Sequence, residues 1–215
     1  NACTFGLLAR ATGTDAETLA ERLTPALERG ILITPSALAF RQADPSLSLR
    51  FCHDRMQQAV YLLRNDAWRG QLHLAMARRF AQAGPDPVYQ FSAAEHYATA
   101  APLLIEPAER VIARQLFFNA AVQTRQAGSF ATAERFLRLG IAMLAADAWQ
   151  SDPDAAFALY AELHLVLDSL GRQAAADEIY ALLAVHASSV LGLVAPACIQ
   201  IASLTNRTRY EDAIA

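Results

Sequence analysis

Gly128-Ser-Phe-Ala-Thr-Ala-Glu134 and Gly171-Arg-Gln-Ala-Ala-Ala-Asp177 nearly superimpose when the chain is shifted by 43 residues. Each stretch joins a glycine turn to the start of an amphipathic helix, and the apolar positions that follow recur in one helical register. A third copy, Thr208-Arg-Tyr-Glu-Asp-Ala213, begins 37 residues after the second. The turn and helix-start residues of the copies are Gly128, Phe130, Ala133, Gly171, Ala176, Tyr210 and Ala213. Such repeats predict stacked helix hairpins, which hold partners rather than perform chemistry.

The composition favours helices, and the charge limits the possible partners. Ala (46) and Leu (29) make up more than a third of the 215 residues, and the 9 Gly and 9 Pro fall mostly between periodic segments. All 18 basic residues are Arg, and 21 acidic residues give a formal net charge of −3. Because this charge provides no basic face for nucleic acid or an anionic membrane, we expect neither as a partner.

The cysteines and the hydropathy pattern indicate a cytoplasmic protein. Cys3, Cys52 and Cys198 are far apart and show no metal-ligand spacing, as expected of reduced, buried thiols. The longest apolar run, over 190–204, is shorter than the roughly 20 residues of a spanning helix, and no signal peptide is present. The chain begins with Asn1 rather than Met and stops within the third copy, so we expect it to be part of a longer protein.

Residues 1–65 contain the credible strands and predict a separate domain. The first helix ends at Gly13, and a capping box at Thr14 and Glu17 opens a second helix, which stops at Gly30. The predicted elements are a helix over 3–11, a helix over 14–29 and strands over 31–34, 37–41 and 47–51. Helix, turn, helix and β-hairpin is the order of a winged helix that lacks its opening helix.

Residues 66–215 predict a helical array, truncated at its C-terminus. One further helix is predicted over 55–64, at the end of the first domain. In the array the predicted helices cover 66–83, 87–100, 107–127, 131–146, 153–170, 174–188, 192–205 and 209 onward. Spacings of 43 and 37 residues exceed the tetratricopeptide period of about 34. We therefore predict a mainly α fold, in which a truncated winged helix precedes an α-solenoid of tetratricopeptide-like helix hairpins.

One string of residues resembles a known protein family. The string is Phe51-Cys-His-Asp-Arg-Met-Gln-Gln-Ala-Val-Tyr61, and it is followed by 69–74 (RGQLHL), by Trp149 and by the glycine-turn repeats. It is similar to the region after the ATPase core in large bacterial signalling proteins of the STAND/AAA class. Notable examples are multidomain hybrid sensor histidine kinases and serine/threonine kinase–histidine kinase fusions. The resemblance covers nearly the whole chain, and the string over 51–61 is its most specific part.

The resemblance implies a non-catalytic regulatory and scaffold role in a signal-transduction ATPase or sensor kinase. The implied partners are the neighbouring ATPase and kinase domains of the same protein, together with a protein partner held by the repeats. ATP or ADP is expected in the neighbouring domain, and no cofactor is expected in this segment. The winged helix would hold the nucleotide-bearing core in one state, and the repeats would relay its change to an output domain.

His53, Asp54 and Arg55 are the nucleotide-sensing candidates. A histidine at the exit of a wing, beside a helix N-terminus, can donate a hydrogen bond to a phosphate on a neighbouring domain. In the related proteins a winged-helix histidine resembling His53 reports on bound diphosphate. The resemblance then makes Asp54 the helix cap and Arg55 an interdomain contact. The alternative is that His53 only bridges the hairpin and Asp54 only caps a helix.

Gln57, Gln58 and Tyr61 are the interdomain-contact candidates. Gln57 and Tyr61 are four residues apart and share a helix face, which could dock the ATPase core. The alternative is that Tyr61 packs into the core of the winged helix.

The sequence predicts no catalytic site and no metal site. It contains neither the GxxxxGK[ST] string of a P-loop nor a GxSxG nucleophile elbow. Asp177 and Glu178 are expected on a solvated helix face. Four histidines lie on different predicted helices at no metal-ligand spacing, namely His73, His96, His164 and His186.

Two other functions stay open on the sequence alone. The first is a freestanding helical-repeat adaptor, or the inducer-binding segment of a STAND-type transcriptional activator. A Walker A motif upstream would favour the ATPase arrangement, whereas a basic helix-turn-helix downstream would favour the activator. The second is an enzyme with a site at His53 and Asp54. DNA binding by the winged helix is disfavoured because its second helix is net acidic, with Asp15, Glu17, Glu21 and Glu28 against Arg22 and Arg29.

Overall fold

The protein is mainly helical, as the sequence predicts, with one small sheet. The structure is a computed structural model that describes residues 2–214. Its strands are Ala2–Thr4 (β1), Leu32–Ile33 (β2) and Ser48–Phe51 (β3). Its helices are Phe5–Thr12 (α1), Ala16–Glu28 (α2), Ala37–Arg41 (α3), Asp54–Leu62 (α4), Asp66–Ala81 (α5), Pro87–Ala100 (α6), Pro107–Gln126 (α7), Phe130–Ala142 (α8), Ala148–Ser151 (α9), Pro153–Ser169 (α10), Gln173–His186 (α11), Val190–Asn206 (α12) and Tyr210–Ile214 (α13). A 3-10 turn at Ala101–Leu103 follows α6.

The chain divides into two compact units, residues 1–103 and residues 104–215. The sequence predicted a domain boundary after residue 65. In the structure the first unit extends to residue 103 and also includes α5 and α6. One reason is that α1 packs on α5, where Arg79 Nη1 donates a hydrogen bond to the carbonyl of Ala11 at 2.8 Å. This bond satisfies a carbonyl at the end of α1 that has no partner within the helix.

The sheet of the first unit is antiparallel and has the order β1-β3-β2. Its first strand was not predicted, because Cys3 was assigned to a helix and instead pairs with Leu49. Thr4 ends the strand and caps α1, since its side chain accepts a hydrogen bond from Leu7 N at 3.2 Å. A partner strand 46 residues away in the chain thus overrides the local helical preference.

The segment Ala37–Arg41 is a helix, α3, and its prediction as a strand is wrong. The Ser36 side chain accepts a hydrogen bond from Ala39 N at 3.1 Å and so caps the turn. Phe40 is buried, and its ring meets the edge of the Phe5 ring at a centroid distance of 6.0 Å. Burial of this aromatic ring selects the helical turn over an extended strand.

One apolar cluster forms the core of this unit and joins its elements. The cluster draws side chains from α1, α2, α3 and β3, and its buried members are Phe5, Leu19, Phe40, Leu47 and Leu49. A main-chain hydrogen bond joins two segments of the same region, since Phe5 N donates to Leu47 O at 2.8 Å. The core therefore fixes where β3 lies and where the chain leaves it.

The start of α2 differs from the predicted capping box. The N-cap is Asp15 rather than Thr14, and its carboxylate accepts a hydrogen bond from Thr18 N at 2.9 Å. An aspartate at this position satisfies an otherwise free amide and interacts favourably with the helix dipole. The predicted stop at Gly30 is confirmed, since its φ of +66° is left-handed.

The second unit consists of helix pairs joined by turns at the predicted places. α7 and α8 meet at Gly128, and α10 and α11 meet at Gly171, with left-handed φ values of +78° and +70°. Thr208 takes the same conformation, at +60°, between α12 and α13. The short helix α9 was not predicted, and α8 ends four residues earlier than expected.

Each helix pair packs on the next one along the chain. α8 lies on α7 and α10, α10 lies on α11, and α12 contacts both α10 and α11. Gly140 allows α8 to approach α10 closely, because a Cβ at this position would lie 2.8 Å from Leu159 Cδ2. Leu159 is itself buried and has little room to move.

Equivalent carboxylates bind arginines of the following copy. The buried Glu134 accepts hydrogen bonds from Arg172 Nη1 at 2.6 and 2.7 Å, in the turn before α11. Asp177 stands 43 residues later and accepts from Arg207 at 2.7 and 2.8 Å and from Arg209 at 3.4 Å. The hydrogen bond from Arg207 is the main cause that lowers the pKa of Asp177 to about 2. The prediction that Asp177 lies on a plain solvated face is therefore wrong.

We expect Phe5→Ala to destabilise the first unit by about 3–5 kcal/mol, because it removes a buried ring from the centre of the core. Urea denaturation followed by Trp68 fluorescence, in a Trp149→Phe background, measures the change. The control is Leu38→Ala, whose side chain is 66% exposed and which should change stability by less than about 0.5 kcal/mol. Equal effects of the two substitutions would contradict the assignment of the core.

Glu134→Ala should destabilise the second unit by about 1.5–3 kcal/mol, because it removes charge-assisted hydrogen bonds to Arg172 and Arg138. Denaturation followed by Trp149 fluorescence, in a Trp68→Phe background, reports this unit. Glu178→Ala is the matched control on an exposed position of α11. If both alanine variants are as stable as the parent, the contact between successive copies contributes nothing.

Candidate interaction surface

Helix α4 begins directly after the central strand of the sheet. Cys52 N donates to Ile31 O at 3.0 Å, and His53 then occupies the N-cap with an extended φ of −143°. The His53 ring makes no capping hydrogen bond, and Asp54 is the first helical residue. The prediction that Asp54 caps the helix is therefore wrong, although a carboxylate in the first turn still suits the helix dipole. His53, Asp54 and Arg55 are all exposed.

None of the nine residues of α4, all of them described, is buried. Gln57 is half-buried and Gln58 is exposed, and the apolar residues collect at the end of the helix. Tyr61 is 48% exposed, and the exposed fraction rises to 76% at Leu63. The alternative that Tyr61 packs into the core is therefore wrong. We call Val60, Tyr61, Leu62 and Leu63 the α4 apolar end.

Tyr61 ties α4 to the next helix, α5. Its hydroxyl lies 3.3 Å from His73 Nε2, and the Arg69 guanidinium lies over its ring at 4.8 Å from the centroid. Arg69 Nη1 also donates to the carbonyls of Tyr61, at 3.3 Å, and of Arg64, at 2.6 Å. Arg69 thereby satisfies carbonyls left free where α4 ends, and it pairs with Asp66.

His73 continues this hydrogen-bonded chain into α6. Its Nδ1 lies 2.8 Å from Nδ1 of His96, so one of the two nitrogens carries the proton that the other accepts. The His96 ring stacks on Phe80 at a centroid distance of 5.6 Å. Because the hydroxyl of Tyr61 completes the chain, the tautomers of both rings and the direction of the Tyr61 hydrogen bond depend on one another. Sequence spacing did not indicate this contact, which spans two helices and 23 residues.

Both histidines favour the neutral form. Burial lowers the pKa of His73, and burial together with the charge of His73 lowers the pKa of His96 to about 4. In residues 2–214 no three His, Cys, Asp or Glu side chains are grouped to hold a metal. The hydrogen-bonded chain from Tyr61 through His73 to His96 ties the end of α4 to α5 and α6.

The repeat-turn candidates all belong to the second unit. Ala133 and Ala176 are fully buried and allow close helix packing, whereas Tyr210 is 57% exposed. Phe130 and Ala213 are half-buried, and Gly128 and Gly171 form the turns described above. Two of the three cysteines, Cys3 and Cys198, are exposed rather than buried as expected.

The second unit also contains a buried polar group that the sequence did not indicate. His164 is fully buried on α10, and its Nε2 donates to Gln200 Oε1 at 3.1 Å. Gln200 Nε2 in turn donates to Asp177 at 2.6 Å, so its oxygen is the end that faces His164. This network links α10, α11 and α12 and satisfies His164 Nε2, whereas Nδ1 of the same ring is buried without a hydrogen-bond partner.

Comparison of the chain with protein-family models, with curated proteins and with solved structures gives no match. Among the described residues, no helix has both the length and the apolar character needed to cross a membrane.

We expect the stability of the first unit to fall as the pH drops from about 6.5 towards 4. A histidine whose pKa is lowered by folding binds its proton more readily when unfolded, so protonation favours the unfolded state. The loss attributable to His96 should be on the order of 1 kcal/mol between about pH 7 and about pH 5, after allowance for solvent screening. Urea denaturation at both pH values measures it. His96→Asn should reduce this pH dependence; identical pH profiles for the parent and the variant would contradict it.

Proposed function

We propose that this chain is a non-catalytic regulatory segment of a signalling ATPase or sensor kinase, and that it contacts a neighbouring protein domain through α4. The observation that carries the proposal is the exposure of α4, which follows the sheet directly and has no buried residue of its own. A helix with an apolar end usually buries that end, and an exposed apolar surface marks an interaction site. The α4 apolar end supplies such a surface.

The order of elements in the first unit supports a truncated winged helix. Two helices separate β1 from β2, β3 lies between them in the sheet, and all pairings are antiparallel. In a winged helix the strands follow this order, and the loop between the last two strands is the wing. Here that loop contains α3, which turns Phe40 into the core. α4 then takes the position directly after the wing.

The second unit supports the proposal of a tetratricopeptide-like solenoid that relays a signal. Three helix pairs follow one another, and equivalent carboxylates bind the turn of the next pair. In such an array each pair contacts chiefly its neighbours, so a displacement at one pair passes to the next. The array would receive a protein partner or transmit a change to a kinase output.

The position of His53 supports a role in sensing nucleotide on a neighbouring ATPase domain. Its ring is exposed at the N-terminus of α4 and is not used to cap the helix. The free amides of a helix N-terminus attract phosphate, and a histidine beside them can donate a hydrogen bond to it. ATP or ADP would be held by the neighbouring domain, and His53 would contact the phosphates only in one interdomain state.

Charge supports a protein partner over nucleic acid. The second helix of the proposed winged helix carries more acidic than basic side chains, and most of them are exposed. A helix of this charge is repelled by phosphates in a DNA groove.

We expect a photo-crosslinking amino acid at Leu63 to capture the ATPase domain of the same protein in its native host. Leu38 on α3 is the matched control, since its side chain is 66% exposed and that of Leu63 is 76% exposed. For the probe at Leu63, mass spectrometry should identify a crosslinked peptide near a Walker A motif. The yield of crosslinked peptide for the probe at Leu38 should be much lower. Equal capture at both positions, or none at Leu63, would reject α4 as the contact.

The role of His53 is tested in the same material. His53→Ala should lower the amount of nucleotide that copurifies with the ATPase domain, whereas Arg22→Ala, an exposed change on α2, should not. Unchanged nucleotide retention in His53→Ala would remove the sensor role while leaving the α4 contact to be judged by crosslinking.

A further inference from the structure

A cleft of about 550 Å³ opens in the first unit, away from the α4 apolar end. It lies between the end of α1, the turn before α2 and the helices α5 and α6. The polar and aromatic side chains that line it are Arg10, Thr14, Asp15, Arg79, Gln82 and Tyr89. Its volume is within the range of small-molecule sites, which is about 300–1,000 Å³.

Arg79 is held in this cleft by the main chain. Its Nη1 donates to Ala11 O at 2.8 Å, and a Cβ at Gly13 would lie only 2.9 Å from its Nε. The guanidinium therefore lies against the backbone of Gly13, whose left-handed φ of +66° and missing side chain make room for it. One hydrogen bond fixes the group and leaves other N–H donors of the planar fork for a ligand.

Arg10 provides a second positive charge in the lining of the cleft. Its guanidinium lies over the Tyr89 ring, with Cζ 5.6 Å from the ring centroid, and its side chain is exposed. Within residues 2–214 neither Arg10 nor Arg79 pairs with a carboxylate, although acidic residues outnumber basic ones by 21 to 18. Other arginines, such as Arg114 and Arg125, do form such pairs.

Asp15 is the acidic side chain of the lining, and its carboxylate is already engaged. It accepts the hydrogen bond from Thr18 N that caps α2, and this bond lowers its pKa. The carboxylate is therefore directed to its own helix, and no ion pair joins it to Arg10 or Arg79. Two arginines and one aspartate leave the lining with a charge of +1, in a chain whose formal net charge is −3.

We propose that this cleft binds a small molecule that carries a phosphate group. Two guanidinium groups suit a doubly charged phosphate better than a singly charged carboxylate, and each keeps N–H groups that can donate charge-assisted hydrogen bonds to its oxygens. Thr14 and Gln82 provide further hydrogen-bonding groups, and Tyr89 provides a flat ring at the edge of the site. The site is independent of the proposed contact at α4.

Isothermal titration of the purified chain with pyrophosphate and with adenosine diphosphate tests the proposal. Both probes should bind, and Arg10→Gln should weaken each by about tenfold or more, as expected for loss of a charge-assisted hydrogen bond. Arg79→Lys keeps the charge but loses the planar fork, so it should weaken binding as well. Arg22→Gln is the control, because it makes the same change of charge at an exposed position outside the cleft.

The outcomes separate cleanly. Absence of binding by either probe, or equal weakening by Arg10→Gln and Arg22→Gln, would overturn the proposal, since the second result indicates attraction by overall charge alone. Arg79→Lys also alters the hydrogen bond to Ala11 in α1. If that variant does not fold, the binding measured for Arg10→Gln alone tests the proposal. Arg10 is exposed and its guanidinium lies over the Tyr89 ring, and circular dichroism should therefore show an unchanged fold in that variant.

Discussion

Burial of the Phe5 ring against Phe40 is the interaction on which the first unit depends. The two rings bring α1 and α3 together, and Leu49 of β3 belongs to the same buried cluster. The sheet has only three short strands and could not be stable without this apolar cover. Once β3 is fixed as the central strand, the direction in which the chain leaves the sheet is fixed too, and α4 begins there.

Helix α4 is therefore held at its ends, and none of its nine residues is buried. The sheet holds its start, and Tyr61 holds its end through His73 and Arg69. Contacts of this kind are few and polar, so their free energy is modest beside that of a buried apolar face. In the function proposed above, a neighbouring domain would bind the α4 apolar end, and a helix attached in this way would be able to change position in response.

Arginine serves two different purposes in this chain. In the second unit Arg172 and Arg207 bind carboxylates of the preceding copy and strengthen the packing of successive helix pairs. In the first unit Arg79 is fixed by a backbone carbonyl and Arg10 by an aromatic ring, and neither has a carboxylate partner within residues 2–214. The same side chain thus supports structure where a carboxylate is near and leaves positive charge available where none is.

The sequence by itself determined most of the helices and the turns between them, because these depend on residues close together in the chain. Gly128 and Gly171 mark left-handed turns, and Pro87, Pro107 and Pro153 stand at the first positions of their helices, as their fixed φ angle favours. It also indicated α4 and the exposed His53, although it exchanged the cap between His53 and Asp54.

Tertiary structure alone decided the features that depend on distant partners. Cys3 lies in a strand because Leu49 pairs with it, and Ala37–Arg41 is helical because Phe40 reaches Phe5 in the core. His73 meets His96, and Arg10 lies beside Arg79, only after helices far apart in the chain have packed. Local propensity amounts to a fraction of a kcal/mol per residue, whereas pairing a strand or burying an aromatic ring is worth several, so the distant contact prevails where the two disagree.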